Sequence, residues 1–537
     1  MKKLLIEILS EEIPSCYQID AMNKIASTLS KELGNAFDMH TAVEKFVTPC
    51  RLVFVAKIDP SKVSLGSELS QKKVRGPKIT APEAAIIGFM KRHGIEEVSK
   101  MEVESDYYFY TSETSLQDHL SLLTDIVYNA INSFTWPKSM RWGEYSMEWI
   151  RPVHSVIVML DDEVLPVRIG HIQSGRSTVG HKFIAPSELH VKNVDDYFSQ
   201  LSNAYVMVSH EERRKIIVSA IEEFAKEKNL VTIEDESLLQ EVVGMVEYPV
   251  VLFGEIEEEF LSLPKEVLIT TLKKNQKYFL MMERDGSISR NFAIVSNINT
   301  DNGKQIIFGN EKVAKARLSD AAFFFKKDQD IRFSERTELL KTFSFHIKVG
   351  TMYDKMQRVE KIACRIMDIM DGEKDVGGEI NLDIVKRAIW LMKNDLTTEM
   401  VQEFPDLQGV AGYYYAIGSG ESTDVAVAIR DHYRPQGPSD RLPESKLAAV
   451  VSIADKLDTI ASMFGAGILP TGSKDPYALR RMAIGILRMI HHYKIVVSIE
   501  VLSGGDVRQF IEHKLHNLHL LEDDDGLRCI EKSLLCE

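Results

Sequence analysis

The rhythm of apolar residues changes near residue 330, and that change constrains the fold more than any single motif does. Before it, short apolar runs with strand character lie between helical stretches. Leu4, Ile6 and Ile8 alternate and close on Glu11-Glu12-Ile13-Pro14 ahead of a helix through about residue 34. Further strand-like runs lie at Phe46–Ala56, Val153–Leu160, Val164–Ile169 and Val250–Phe253, with helices expected over Ala81–His93 and Glu211–Glu227. From Phe333 to about Tyr493 the spacing is helical with hardly any strand signal, interrupted at Gly418–Ser422 and Pro435–Pro443. The pattern predicts a multidomain α+β protein: a mixed α/β region over 1–330 with two or more subdomains, an all-helical unit over 331–495, and a tail over 496–537 too short to hold its own core.

A length of 537 residues accommodates roughly three or four domains at the usual ~150 residues each. The formal charge of −14 argues against a protein that coats nucleic acid indiscriminately, while leaving room for basic patches on an acidic body. Cys16, Cys50, Cys364, Cys529 and Cys536 are scattered and form no Cys-x-x-Cys pair, which disfavours a zinc ribbon or disulfide framework. Glu7, Glu11 and Glu12 break the first apolar run short of a signal peptide, and nothing reads as a membrane span. A cytoplasmic protein with no membrane partner is the expectation.

Three locally basic segments stand out. Lys72-Lys73-Val74-Arg75-Gly76-Pro77-Lys78 is the densest positive run. Lys265–Phe279 carries Lys277 beside Tyr278, and the helix expected over Asn310–Phe325 leaves Lys315 and Arg317 off its apolar face. Lysine and arginine suit phosphate, and an adjacent ring suits an unpaired base. The plainer reading is a set of solvated surface charges, with Tyr278 and Phe279 entering the core. At Leu469–Arg481, Asp475 is placed as an N-cap and Pro476 as the first helical residue, with Arg480 and Arg481 in the first turn, where cations oppose the helix dipole. Those arginines are either surface partners of nearby carboxylates or a polyanion contact. Gly467–Lys474 only resembles a phosphate loop, because Ser473 precedes Lys474 where Gly-Lys-Ser/Thr is required.

Within the helical stretch, Asp395, His432, Asp455 and Asp458 raise the question of a metal site of the HD hydrolase type. The place expected for the His-Asp doublet reads Lys393-Asn394-Asp395, and a protonated lysine is a poor metal ligand. A structural role therefore ranks above metal hydrolysis, and no metal is assigned.

Ordered over most of residues 1–495, the segments Ile6–Pro14, Thr48-Pro49-Cys50-Arg51-Leu52, Val74-Arg75-Gly76-Pro77, Met140-Arg141-Trp142-Gly143, Arg151-Pro152-Val153-His154, Gly180-His181-Lys182-Phe183, Asn275-Gln276-Lys277-Tyr278-Phe279, Gly350–Lys355, Glu403–Gly409 and Ala454-Asp455-Lys456-Leu457-Asp458 resemble the β subunit of bacterial tetrameric glycyl-tRNA synthetase. Cys50 stands where the family carries arginine, and Asn275 where it carries histidine. The resemblance implies an α2β2 enzyme joining glycine to tRNA(Gly). ATP, Mg and the bond-making groups are expected on the α subunit, and this chain is expected to have no catalytic residue and no cofactor of its own. With tRNA as the partner, the basic segments make Lys72, Lys73, Arg75, Lys277, Tyr278, Lys315, Arg317, Arg480 and Arg481 the candidates for its contact; no DNA binding is expected, and the resemblance fits a degenerate HD-like site at Asp395, His432, Asp455 and Asp458. Family members continue into a helical anticodon-binding domain, most of which the resemblance leaves beyond Glu537. The alternatives are an HD-type metal-dependent phosphohydrolase and a noncatalytic tRNA-binding protein.

Overall fold

The fold is a computed structural model that describes residues 1–37, 42–59, 73–93, 95, 97–98, 101–104, 106–111, 116–372, 380–471, 474–503, 505–515 and 533. It divides into two compact units, Met1–Glu255 with Lys277–Asn310, and Ile256–Gln276 with Glu311–Glu537. The boundary therefore differs from the change of periodicity near residue 330. The reason is local: Ile256–Gln276 is held in the helical unit by the Tyr414 hydroxyl on Glu266 at 2.7 Å and by the ion pair of Lys274 with Asp406.

In the first unit, β1 (Lys2–Ser10) is the middle strand of an antiparallel sheet. After it come α1 (Ser15–Phe37), β2 (Val43–Val47), β3 (Arg51–Ile58), β4 (Lys73–Lys78), α2 (Glu83–His93), β5 (Glu102–Glu104), β6 (Tyr107–Thr111), α3 (Leu116–Asn132), β7 (Val153–Leu160) and β8 (Glu163–Val164). The main sheet runs β2-β3-β1-β7-β8. Because side chains alternate along a strand, Leu4, Ile6 and Ile8 of β1 pack among residues of α1 and α3, and Leu5 faces the opposite core with Val53, Val55, Ile157 and Met159. That second core is closed by Tyr197 and Leu201 of α4 (Val194–Asn203). The single strand expected over Phe46–Ala56 is two strands. Thr48 closes a turn by accepting from the Cys50 and Arg51 amides at 3.2 and 3.0 Å, and Pro49 has no ladder donor. Val164–Ile169 is likewise split, into Glu163–Val164 and Arg168–Ile169.

A second sheet orders Val231–Thr232, Phe279–Met282, Ile288–Ser296 and Val250–Glu255, covered by α5 (His210–Lys228) and α6 (Glu236–Val243). The α5 helix begins where Ser209 accepts the Glu212 amide and ends at Asn229 in the left-handed region, φ 59°.

The second unit comprises α7 (Lys265–Ile269) with a π-turn at Thr270–Lys274, the larger part of α8 (Lys304–Lys327), then α9 (Met352–Gly372), α10 (Leu382–Leu391), α11 (Glu399–Glu403), α12 (Val410–Gly418), α13 (Thr423–Asp431), α14 (Lys446–Gly465), α15 (Leu479–Tyr493), α16 (Ile499–Ser503) and α17 (Gly505–Leu515). Against the expectation of an all-helical unit, Ser344–His346 and Gly350–Thr351 form a small hairpin. The segment taken as a tail joins this unit: Val507 and Ile511 are buried, and Phe510 meets Phe464 at 5.2 Å between ring centroids. Every residue of α14 from Ala448 to Ile460 is buried. A helix enclosed on all sides carries its charged residues into the core, and this feature shapes the candidate site.

Candidate functional site

Because α14 is enclosed, Asp455, Lys456 and Asp458 must find partners inside the protein. Lys355 and Arg358 come from α9, Lys393 and Asp395 follow α10, and His432 follows α13. Lys393 Nζ lies 2.8 Å from His432 Nε2, 3.5 Å from Asp455 Oδ1 and 4.0 Å from the centre of the Tyr433 ring. His432 Nδ1 is 2.6 Å from the Ile429 carbonyl, so it carries the proton and leaves Nε2 to accept from Lys393. Lys355 Nζ contacts Asp455 Oδ1 at 3.2 Å, Asp458 Oδ2 at 3.1 Å and Thr459 Oγ1 at 2.7 Å. Asp458 is also gripped by the Arg358 fork, at 2.6 and 3.2 Å. Lys456 Nζ enters a cage made by the carbonyls of His432, Tyr433 and Arg434 and the Ser452 hydroxyl, at 2.8 to 3.2 Å.

Burial sets the protonation behaviour. Desolvation pushes Lys393 down to about 8 and Lys456 to about 7, and holds His432 well below its ordinary range, with Lys393 adding to the effect. Desolvation also lifts Asp395 to about 6, although the Gly409 amide donates to it at 2.6 Å. For Asp455, desolvation acts upward but the ammonium groups of Lys355 and Lys393 outweigh it and keep the carboxylate well below its usual range.

The four acidic and imidazole groups singled out in the sequence therefore do not converge on one point. Asp395 turns to Gly409, Asp458 to Arg358 and Lys355, and Asp455 shares Lys355 with Asp458 and Lys393 with His432. Among the described residues, no group of three or more His, Cys, Asp and Glu is placed to hold a metal. Lys355 and Lys456 carry no local sequence signal, because Lys355 meets partners on α14 and Lys456 meets carbonyls of the segment after α13. The one available signal was the pair of charges, Asp455 and Asp458, three apart in an apolar run.

The cationic candidates are dispersed. Lys72 lies outside the described residues, and Lys73 opens β4. Arg75 is exposed and stacks on Tyr107, 3.5 Å from the ring centre. Lys277 pairs with Glu241 at 2.9 Å, and Lys315 with Glu257 at 2.7 Å. Tyr278 is a correction: it is 3% exposed, stacks on Phe292 and donates to Asn310 Oδ1 at 2.7 Å, so no base can reach its ring. Burial pushes its hydroxyl up to about 12. The start of α15 is another correction. Asp475 and Pro476 lie in a turn closed by the Ala478 amide on the Asp475 carbonyl, and the helix begins at Leu479. Asp475 still caps it, accepting from the Leu479 and Arg480 amides at 2.9 and 3.0 Å. Arg480 donates to the Thr471 carbonyl, so it clamps its own loop, while Arg481 and Arg317 are exposed and carry no ion pair among the described residues.

In the first unit, Arg51 is 1% exposed and forms a buried network. It pairs with Glu247, donates to the Val179 carbonyl at 2.5 Å and lies 3.5 Å from Glu7, which accepts from the Tyr197 hydroxyl at 2.5 Å. Arg51 thus sustains this network, whereas Cys50 beside it is half-buried with its thiol pushed up to about 12 by burial.

Comparison with known proteins agrees in a single direction. The glycyl-tRNA synthetase beta subunit family model matches residues 4–522. The glycine–tRNA ligase beta subunit of Rickettsia conorii is 38% identical over 524 residues, 97% of this chain and 76% of that protein. The Rickettsia bellii protein of the same name is 40% identical over 520 residues, 96% of this chain and 76% of that protein. These matches define a component of an aminoacyl-tRNA synthetase. The chain belongs to the glycyl-tRNA synthetase beta subunit family. Neither the phosphohydrolase nor the stand-alone RNA-binding alternative is supported.

Proposed function

We propose that this chain acts as the β subunit of an α2β2 glycine–tRNA ligase, binding tRNA(Gly) and supporting glycylation whose bond-making groups, ATP and Mg reside on the α subunit. The match to the family over nearly the whole chain carries the reading. Arg317 and Arg481, exposed and without an ion pair among the described residues, are the candidates best suited to phosphate, together with the exposed Arg75. Lys277 and Lys315 serve only if phosphate displaces Glu241 and Glu257, an exchange that surface ion pairs tolerate because each is worth little in water. The helical unit is read as an HD-like domain over 331–495 whose ligand positions are closed by lysine and which supports RNA contact. In this reading the protein works in the cytoplasm and binds neither DNA nor membrane. No helix among the described residues is long and apolar enough to cross a membrane.

The test is reconstitution with the α subunit. Glycine acceptance by tRNA(Gly) is expected only with both chains present. Reversing charge at Arg317 and Arg481 is expected to raise KM for tRNA and flatten the salt dependence by roughly one unit of log-log slope per lost phosphate contact. Full glycylation by α alone would refute the proposal. Unchanged salt dependence after reversal would remove these residues from it.

A further inference from the structure

We infer that the exposed face of the small β4-β6-β5 sheet is a stacking platform for an unpaired RNA nucleotide, with the base lying on the Arg75 guanidinium, which itself rests on Tyr107. This rests on the reading that the chain binds tRNA.

Register places the relevant side chains together. Arg75 pairs across the ladder with Phe109 and Lys78 with Tyr107, while Glu102 and Glu104 pair with Phe109 and Tyr107 from the other side. Directly paired residues share a face, so arginine, lysine, tyrosine, phenylalanine and two glutamates stand on one side of the sheet. The opposite side is covered by α2: a Cβ on Gly76 would come within 2.9 Å of the Phe89 ring and 3.1 Å of the Tyr108 carbonyl, so glycine is what allows the helix this close. On the shared face Arg75 and Lys78 are exposed.

On that face Arg75 Cζ sits 3.5 Å from the centre of the Tyr107 ring, and Lys78 Nζ lies 5.4 Å from the same ring. A guanidinium stacked flat on tyrosine has one planar surface occupied and the other turned outward, and its N–H edges carry no ion pair among the described residues. The outward surface matches the π-face of a nucleobase, and arginine planes and aromatic rings are the usual partners of splayed bases. Charge across the sheet then orients the ligand. The strand order puts the basic strand β4 at one edge, the aromatic strand β6 in the middle and the acidic strand β5 at the other. Phosphate is drawn to the β4 edge at Lys78. A paired duplex cannot offer its base faces. A single-stranded segment fits the flat platform and the cation beside it.

The experiment uses the full chain with the α subunit and compares fluorescence anisotropy of labelled tRNA(Gly), a single-stranded oligoribonucleotide and a fully paired RNA hairpin of equal length. Tyr107→Ala and Arg75→Lys are each expected to weaken tRNA and single-strand binding about tenfold, the size of one lost stack, with the hairpin unaffected and Tyr107→Phe close to wild type. Arg75→Lys keeps the charge and loses the plane, so its salt slope is expected to stay at the wild-type value. Photocrosslinks from 4-thiouridine-substituted tRNA are expected within residues 73–111. The inference is overturned if Arg75→Lys binds like wild type while Arg75→Glu does not, since charge alone then suffices. It is equally overturned if polyglutamate competes with the single strand regardless of Tyr107→Ala, which would assign the face to an acidic protein segment. Failure of the wild-type complex to bind tRNA at all would instead remove the parent reading before any variant is compared.

Discussion

Replacing Lys393 with methionine isolates what it takes to keep a protonated amine in the core of the helical unit. Lys393 is 4% exposed and its ordinary value of 10.5 is pushed down to about 8. Between those values the unfolded chain still holds the proton that the folded chain has released, so raising the pH favours the fold. The interval of roughly 2.5 pH units, at about 1.4 kcal/mol each, amounts to about 3–4 kcal/mol of stability gained by wild type between pH 8 and 10.5 and absent from Lys393→Met. Near pH 7.5 the variant loses the hydrogen bond to His432, worth about 1–3 kcal/mol as an unsatisfied buried acceptor, and is relieved of the buried charge, so the two proteins should lie close together. Asp455 keeps Lys355 at 3.2 Å in either case. Lys456 titrates in both proteins, and because the Lys393 charge helps to hold it down, its own value moves up in the variant. Urea unfolding followed by Trp390 emission at pH 7.5, 8.5 and 9.5 reads the effect, since Trp390 lies in α10 and bonds to Glu360 within the same unit. Parallel stability curves for wild type and variant over this range would refute the reasoning.

Other substitutions probe separate parts of the fold. Arg51→Met leaves Glu7 and Glu247 buried without their cation and should lose about 3–5 kcal/mol near pH 7.5 by chemical denaturation. Because burial already raises Glu7 and the variant removes the opposing guanidinium, protonation should relieve that deficit as the pH falls toward 5, and a deficit that grows on acidification would contradict the account. Gly409→Ala, at φ 82° with a Cβ 2.9 Å from the Arg430 carbonyl, should cost at least about 2 kcal/mol, whereas Gly420→Ala at φ 83° in open space should cost less; equal shifts in the Trp390 transition would remove the steric part of the argument. Ala478→Gly relieves a φ of 58° at the entry to α15 and should stabilise by about 0.5–1 kcal/mol, read from the same transition.

Much of the architecture was legible because periodicity is a local property. The strand Val153–Leu160 is found over the predicted residues, and the helix expected over Glu211–Glu227 runs from His210 to Lys228. The misses share a cause in contacts between distant residues or in turn chemistry. Thr48 and Pro49 divide one apolar run into two strands, and the Asp475 turn delays α15 to Leu479. Tyr278 looked available beside lysines, but its ring is paired with Phe292 of a strand further along the chain. The candidate cations divided in the same way: sequence supplied their positive charge, while Glu241 and Glu257, remote in sequence, take up Lys277 and Lys315, and the Thr471 carbonyl of its own loop takes up Arg480.

By itself the sequence determined the two styles of construction, the family through ordered segments along most of the chain, and the failure of the phosphate-loop order at Ser473-Lys474. Tertiary structure alone decided the state of the helical core. A lysine in place of histidine at position 393 shows only that one ligand is absent. Packing α14 on all sides brings Lys355, Lys393 and Lys456 among Asp455, Asp458 and His432, so ammonium groups meet the acceptors there. Which partner a buried charge takes depends on distances of about 3 Å between helices, and residues some forty to a hundred positions apart in sequence carry no local pattern that records them.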